Sequence, residues 1–152
     1  VIKINQTTAS IVASYLLTGN YDFDNATSID IDIYKGTQPT NITAGWTRAS
    51  YSSDLLITFE SVSFIHPTGQ PYIVLNTWPP TTNAIADGTA AWCAIYNSTG
   101  SSTYVVIGPV DAPSGSPSVA HGLVILTTLT IVNGVGYDIV DAAIGIKSYG
   151  DS

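Results

Sequence analysis

Two hydrophobic periods divide the chain. Near the start, Ala9, Val12, Ala13, Leu16 and Leu17 recur at helical spacing. Thr7 or Thr8 can cap this segment and Gly19 can stop it, so residues 1–20 read as a short helix or as an arm that orders on contact with a partner. From residue 29 the period becomes two. Ile29, Ile31 and Ile33 alternate with Asp30, Asp32 and Tyr34, which predicts a strand with three isoleucines on one face and two carboxylates on the other. The carboxylate face is expected to be solvated, or to guard an edge against stray pairing.

Residues 40–53, with Gly45, Trp46 and several hydroxyls, read as a long loop. Leu55 to Ile65 is a long strand whose phase changes: Leu55, Ile57 and Phe59 share one face, and Val62 and Phe64 take the other. A bulge between Glu60 and Val62 reconciles them. Tyr72 to Leu75 is a short strand, ended by Trp78-Pro79-Pro80 because prolines cannot donate to a ladder. Ala90–Tyr96 and Thr103–Gly108 flank a Ser/Gly turn and predict a hairpin. Leu123–Val132 is a β-rich run, Val132-Asn133-Gly134-Val135 is a tight-turn signal, and Tyr137–Ile146 is the closing strand. Seven or so short strands and one helix predict a mainly β fold, an antiparallel β-sandwich or jelly-roll-like barrel with a short N-terminal helix. No internal repeat divides the 152 residues, so a single domain is expected, residues 1–20 forming the arm and 29–146 the β fold. The expected core is Ile29, Ile31, Ile33, Leu55, Ile57, Phe59, Trp92, Val105, Leu129, Ile131 and Ile139.

Composition narrows the function. Charged residues make up only 10% of the chain, against about 25% in an average soluble domain. Hydroxyls and amides replace them, and such surfaces carry less ion desolvation cost when buried against neighbours. Secreted β domains share this composition, so it does not separate the two. The net charge is −7, and the four basic residues, Lys3, Lys35, Arg48 and Lys147, are scattered. Neither nucleic-acid phosphates nor an anionic membrane surface is an expected partner. The most apolar run, Leu123–Val132, is too short to span a bilayer. Cys93 is the sole cysteine; set in the apolar run Ala91–Ile95, it reads as a buried, inert thiol. No signal-peptide pattern follows Val1, and four Asn-x-Ser/Thr triplets in so Thr-rich a sequence do not establish secretion.

Few residues carry chemistry. His66 and His121 are the only histidines and Glu60 the only glutamate. No nucleophile-elbow pattern accompanies them, and a pair of glycosidase carboxyls is not indicated. Asp22, Asp24, Asp30 and Asp32 lie close in sequence and offer oxygen ligands of the kind calcium favours, yet the EF-hand spacing is absent. No zinc or phosphate-loop pattern occurs. The expectation is a protein that is not an enzyme, with no catalytic, cofactor or metal residues. Tyr and Trp outnumber Phe, a bias of protein interfaces and of sugar-stacking platforms.

The order of segments adds a resemblance. Ile33-Tyr34-Lys35-Gly36-Thr37-Gln38-Pro39 ends the first strand. Asp87-Gly88-Thr89-Ala90-Ala91-Trp92 opens a later one, which is followed by a strand ending Val106-Ile107-Gly108-Pro109-Val110. The hydroxyl-rich stretch Leu126–Gly134 then precedes the closing strand. This succession resembles a family of small virion structural proteins of tailed bacteriophages, over about Ile29 to Ile146; the regions around Trp46 and Trp78-Pro79-Pro80 match less well. The resemblance implies a capsid decoration or cement protein stabilising the shell, in a virion assembled in the host cytoplasm. Its partners would be the major capsid protein or neighbouring virion proteins, with a homo-oligomer expected. A head–tail or tail component is the alternative within the class, and a carbohydrate-binding β-sandwich module is the alternative outside it. Interface candidates are Leu16 and Leu17 in the arm, Trp46 and Tyr51 in the long loop, and Pro113 in the Pro/Gly/Ser loop.

Overall fold

The computed structural model of the chain describes residues 3–4, 29–40, 47–65, 72–97, 105–113 and 124–145. The fold is mainly β. The strands are β1 (Lys3–Ile4), β2 (Ile29–Tyr34), β3 (Leu55–Ile65), β4 (Tyr72–Thr77), β5 (Thr82–Asn83), β6 (Gly88–Thr89), β7 (Trp92–Asn97), β8 (Val105–Asp111), β9 (Val124–Leu126), β10 (Thr130–Ile131), β11 (Gly136–Tyr137) and β12 (Ile139–Gly145). A 3-10 helix, Arg48–Asp54, leads directly into β3. The predicted N-terminal helix lies outside the described residues.

Seven strands close into a barrel in the order β8-β7-β2-β3-β4-β12-β9, with β9 returning to β8. The closing β8–β9 pair is parallel, and the other pairings are antiparallel. β1 adds to β8 at Val106 and Ile107. The β7–β8 pairing is the predicted hairpin. The β-rich run from Leu123 to Val132 holds two strands, β9 and β10, and only β9 belongs to the barrel. The short ladders β5–β11 and β6–β10 are separate two-stranded sheets, and Ile131 and Tyr137 from them pack into the barrel's core.

Strand β3 spans 11 residues as predicted, and its bulge is where the phase change placed it. Ile29 pairs with Val62 but Ile31 pairs with Phe59, so β3 carries one residue more than β2 across this interval. Ser61 absorbs the excess at φ 57°, a left-handed conformation that a non-glycine residue adopts only at some cost. Its freed amide donates to the Asp30 carboxylate at 3.1 Å. The bulge turns Ile57, Phe59, Val62 and Phe64 all into the barrel.

The interior is one apolar cluster built on Ile29, Ile31, Ile33, Ile57, Phe59, Cys93 and Ile95, with Ile131 and Ile139 also in it and Leu129 packed at its margin. Each fully buried isoleucine contributes about 1.5–3 kcal/mol. A second cluster, Tyr34, Leu55, Trp92, Ala94, Tyr96, Val105 and Ile107, occupies the other face of the same strands. Leu55, Trp92 and Val105, expected in a single core, belong here. The strict alternation of β7 puts Trp92, Ala94 and Tyr96 opposite Cys93 and Ile95. The expectation of a solvated carboxylate face on β2 is therefore corrected: every residue of the strand is buried, with Asp30 8% exposed and Asp32 0%. β2 sits between β3 and β7, so it is no edge, and both its faces are covered.

Candidate functional site

Four ionisable side chains, those of Asp32, Tyr34, Arg48 and Tyr96, converge on the outer face of β2. Asp32 and Tyr34 are two residues apart, so their side chains share that face. The Tyr34 hydroxyl donates to Asp32 Oδ2 at 2.9 Å. Asp32 pairs across the ladder with Thr58 on β3, whose hydroxyl donates to Asp32 Oδ1 at 2.7 Å. Tyr96, from β7, adds a further hydrogen bond to the carboxylate. Arg48 closes the group from the 3-10 helix. Its Nε lies 2.8 Å from Asp32 Oδ2, and its Nη2 donates to the Thr58 hydroxyl. Arg48 is the only arginine of the chain.

Burial dominates the electrostatics. It raises the Asp32 carboxyl above its ordinary value, against the lowering effects of the Thr58 hydrogen bond, the Arg48 charge and the two tyrosine hydroxyls. Burial, reinforced by the Asp32 charge, also raises the Tyr34 and Tyr96 phenols. A carboxylate with no exposed surface and four protein donors around it has the character of a structural strut. It ties β2, β3 and β7 to the helix that precedes β3.

Beside this polar group stands an aromatic one. Tyr34 stacks on Trp92 with ring centroids 4.1 Å apart and planes 10° from parallel. Tyr51 meets both rings edge-on, at 6.3 Å from Tyr34 and 5.3 Å from Trp92. Trp92 Nε1 donates to the Lys35 carbonyl at 3.1 Å, and the Ala91 amide donates to the Tyr34 carbonyl at 2.9 Å. Gly88 lies so close to Lys35 and Leu56 that an added Cβ would come within 3.0 Å of Lys35 Cδ. Gly36, at φ 79°, makes the turn that leaves β2.

Of the interface candidates, Tyr51 is half-buried, its ring packed edge-on against Tyr34 and Trp92, because the end of the expected loop lies in a 3-10 helix, residues 48–54, against the sheet. Pro113 is exposed after β8. Leu16, Leu17 and Trp46 lie outside the described residues, as do His66, His121, Asp22 and Asp24. Among the described residues, no group of three or more His, Cys, Asp or Glu side chains is placed to hold a metal ion, and no helix is long and apolar enough to cross a membrane. Cys93 is fully buried, its Sγ 3.5 Å from the Gly108 carbonyl, and burial pushes its thiol well up. Sequence reasoning missed the Asp32 cluster. Its available signals were Tyr34 two residues from Asp32 and a lone arginine shortly before β3.

No family model matches the sequence, and no curated protein or solved structure shows significant similarity to it.

Proposed function

We propose that the chain is a structural protein of a tailed-bacteriophage particle, a capsid decoration or cement protein that binds the shell through protein–protein contacts. The observation that supports this most directly is the joint between the two segments on which the resemblance rests. Tyr34-Lys35-Gly36 and Asp87 to Trp92 are far apart in sequence, yet they meet through the Tyr34–Trp92 stack, the Trp92–Lys35 and Ala91–Tyr34 hydrogen bonds and the close approach at Gly88. The segments thus form one architectural unit. The finer fold in this reading is jelly-roll-like, with a short N-terminal helix available for docking.

The enclosed Asp32 cluster points the same way. It contains the chain's only arginine and three of its hydroxyl-bearing side chains, and it ties β2, β3 and β7 to the 3-10 helix. The partners in this reading are the major capsid protein or its neighbours, with self-association on the shell. Quantitative mass spectrometry of purified particles tests it. A cement protein is present in a copy number close to that of the shell subunit, and a low-resolution particle image shows it on the capsid. Low copy number would move the assignment to a head–tail or tail component. Absence from particles would overturn the reading. Trp78, 53% exposed, is the feature that favours the carbohydrate-binding alternative, and glycan binding by the isolated protein would establish it.

A further inference from the structure

The chain contains a single Asn-Gly pair, Asn133-Gly134, and it forms the turn that joins β10 to β11. This dipeptide carries a reaction of its own. Glycine has no Cβ to shield its nitrogen, so in an open chain the Gly134 nitrogen reaches the side-chain amide of Asn133. The nitrogen gives up its proton and bonds to Asn133 Cγ, the Cγ–Nδ2 bond breaks, and Nδ2 leaves as ammonia with the proton. Water then opens the cyclic imide. Addition at Cγ yields aspartate. Addition at the main-chain carbonyl yields isoaspartate, which carries an extra methylene in the backbone.

The closed turn opposes the first step in two ways. The Gly134 amide donates to the Ala84 carbonyl at 2.9 Å, so the nitrogen that would attack is held by its proton against residue 84. The Val135 amide also donates to the Val132 carbonyl at 3.1 Å, and within the turn only Gly134 has a positive φ, 78°. That combination is a type II turn, in which the ψ of the second residue is about +120°. This ψ swings the following nitrogen away from the side chain, whereas ring closure needs it turned into line with Cβ. Contacts from outside keep the turn shut. Asn133 N donates to Asp87 Oδ1 at 2.8 Å, Val132 N donates to the Tyr137 hydroxyl at 2.8 Å, and the Ala84 amide donates to the Val135 carbonyl at 2.9 Å. Asn133 itself is exposed, so water is at hand for the second step.

We propose that Asn133 is a self-modification site governed by this turn: it is inert while the turn is closed, reacts when the turn opens, and once converted weakens the turn that restrained it. The products account for the last part. Isoaspartate lengthens the backbone between Val132 and Val135, so the bonds of the turn lose their register. Either product sets a carboxylate beside the one on Asp87 that holds the Asn133 amide, and like charges repel. The inference goes beyond the virion reading and holds whatever the partner is.

The full chain is incubated in mildly alkaline buffer, folded and in guanidinium chloride. Peptides spanning Asn133 are followed by the small mass gain of carboxylate over amide and by enzymatic labelling of isoaspartate. Reaction from the open form alone scales with the open fraction, so the folded protein is expected to convert at least about 10-fold more slowly than the denatured one. Asp87→Ala removes the acceptor for the Asn133 amide, and Tyr137→Phe removes the acceptor for the Val132 amide. Circular dichroism and thermal unfolding confirm that each variant is folded. Both are expected to convert several-fold faster than the intact protein when folded, and at the same rate as it in denaturant. Should Asp87→Ala fail to fold, Tyr137→Phe, which keeps its ring in the core, carries the comparison. Converted protein, separated by its added negative charge, should unfold at a lower Tm. Equal rates in the folded and denatured protein, or no acceleration in a folded variant, would overturn control by the turn. Absence of conversion in denaturant would overturn Asn133 as the site, and an unchanged Tm after conversion would overturn its effect on the turn.

Discussion

Arg48→Gln leaves the Asp32 carboxylate buried without its counter-charge. Removing one partner of a fully buried ion pair costs about 3–5 kcal/mol. Two features of this pair reduce that figure. The Arg48 side chain is 46% exposed, so water already screens part of the attraction. Asp32 also retains the hydroxyls of Tyr34, Thr58 and Tyr96. The expected loss near neutral pH is therefore about 1.5–3 kcal/mol, a fall of roughly 4–10 °C in Tm for a chain of this size. A double-mutant cycle with Asp32→Asn isolates the pair, and a coupling energy of about 1–2 kcal/mol is expected.

The pH dependence gives a sharper test. Burial raises the folded Asp32 carboxyl above its ordinary value of 3.8. The folded state therefore holds this proton more tightly than the unfolded chain does. The stabilisation from that proton is fully present below the unfolded value and is lost as pH rises through the folded one. Arg48 lowers the folded value, so Arg48→Gln raises it further and enlarges the loss. The stability gap between the intact protein and the variant should be small at pH 3, where Asp32 is neutral in both, and should widen towards pH 7. Urea unfolding followed by tryptophan fluorescence across this range measures it. A gap that is constant with pH, or a cycle with no coupling, would refute the assignment of Arg48 as the counter-ion.

Three further outcomes are expected. Ile31→Ala, at a fully buried barrel position, should cost about 2–5 kcal/mol by equilibrium unfolding, and a loss under 1 kcal/mol would show that the site is not in a close-packed interior. Trp92→Phe preserves a ring against Tyr34 but removes the donor to the Lys35 carbonyl; it should lower stability by about 1–2 kcal/mol with little change in the far-ultraviolet dichroism. Cys93, fully buried with its thiol raised by burial, should resist thiol reagents in the native state and react at one equivalent in denaturant, so rapid native labelling would contradict the placement of β7.

The elements built on local periodicity were legible in the sequence. Ile29 to Tyr34 and Leu55 to Ile65 have the predicted strand bounds, and the bulge was readable because Phe59, Val62 and Phe64 cannot share a face without an inserted residue. Burial of the second face of β2 was not legible. An alternating Ile–Asp strand has the pattern of a half-exposed one, and the carboxylates are tolerated inside only because distant residues supply donors: Thr58 and Arg48 to Asp32, and the Ser61 amide to Asp30. These pairings depend on strand order, which periodicity does not encode. The 3-10 helix was hidden for a related reason. Residues 48–54 have no apolar helical stripe, and the segment is held by Arg48 and Tyr51 reaching the sheet and by the Asp54 carbonyl, which accepts from the Lys35 amide.

Strand β2 joins most of these constraints, and that determines which parts of the molecule can change independently. Its inner face carries Ile29, Ile31 and Ile33, its outer face carries Asp32 and Tyr34, and its end turns at Gly36 beneath Trp92. A substitution here disturbs the barrel, the ion pair and the aromatic joint together, so its effects on stability and on binding would be inseparable. The turn from Val132 to Val135 is different. It is fixed by main-chain bonds and by Asp87 and Tyr137, and its valine side chains take no part in those bonds. Its outward side chains can therefore be replaced with little effect on the barrel. Rigidity is thus concentrated in one doubly covered strand, while the outward side chains of this turn stay free to vary.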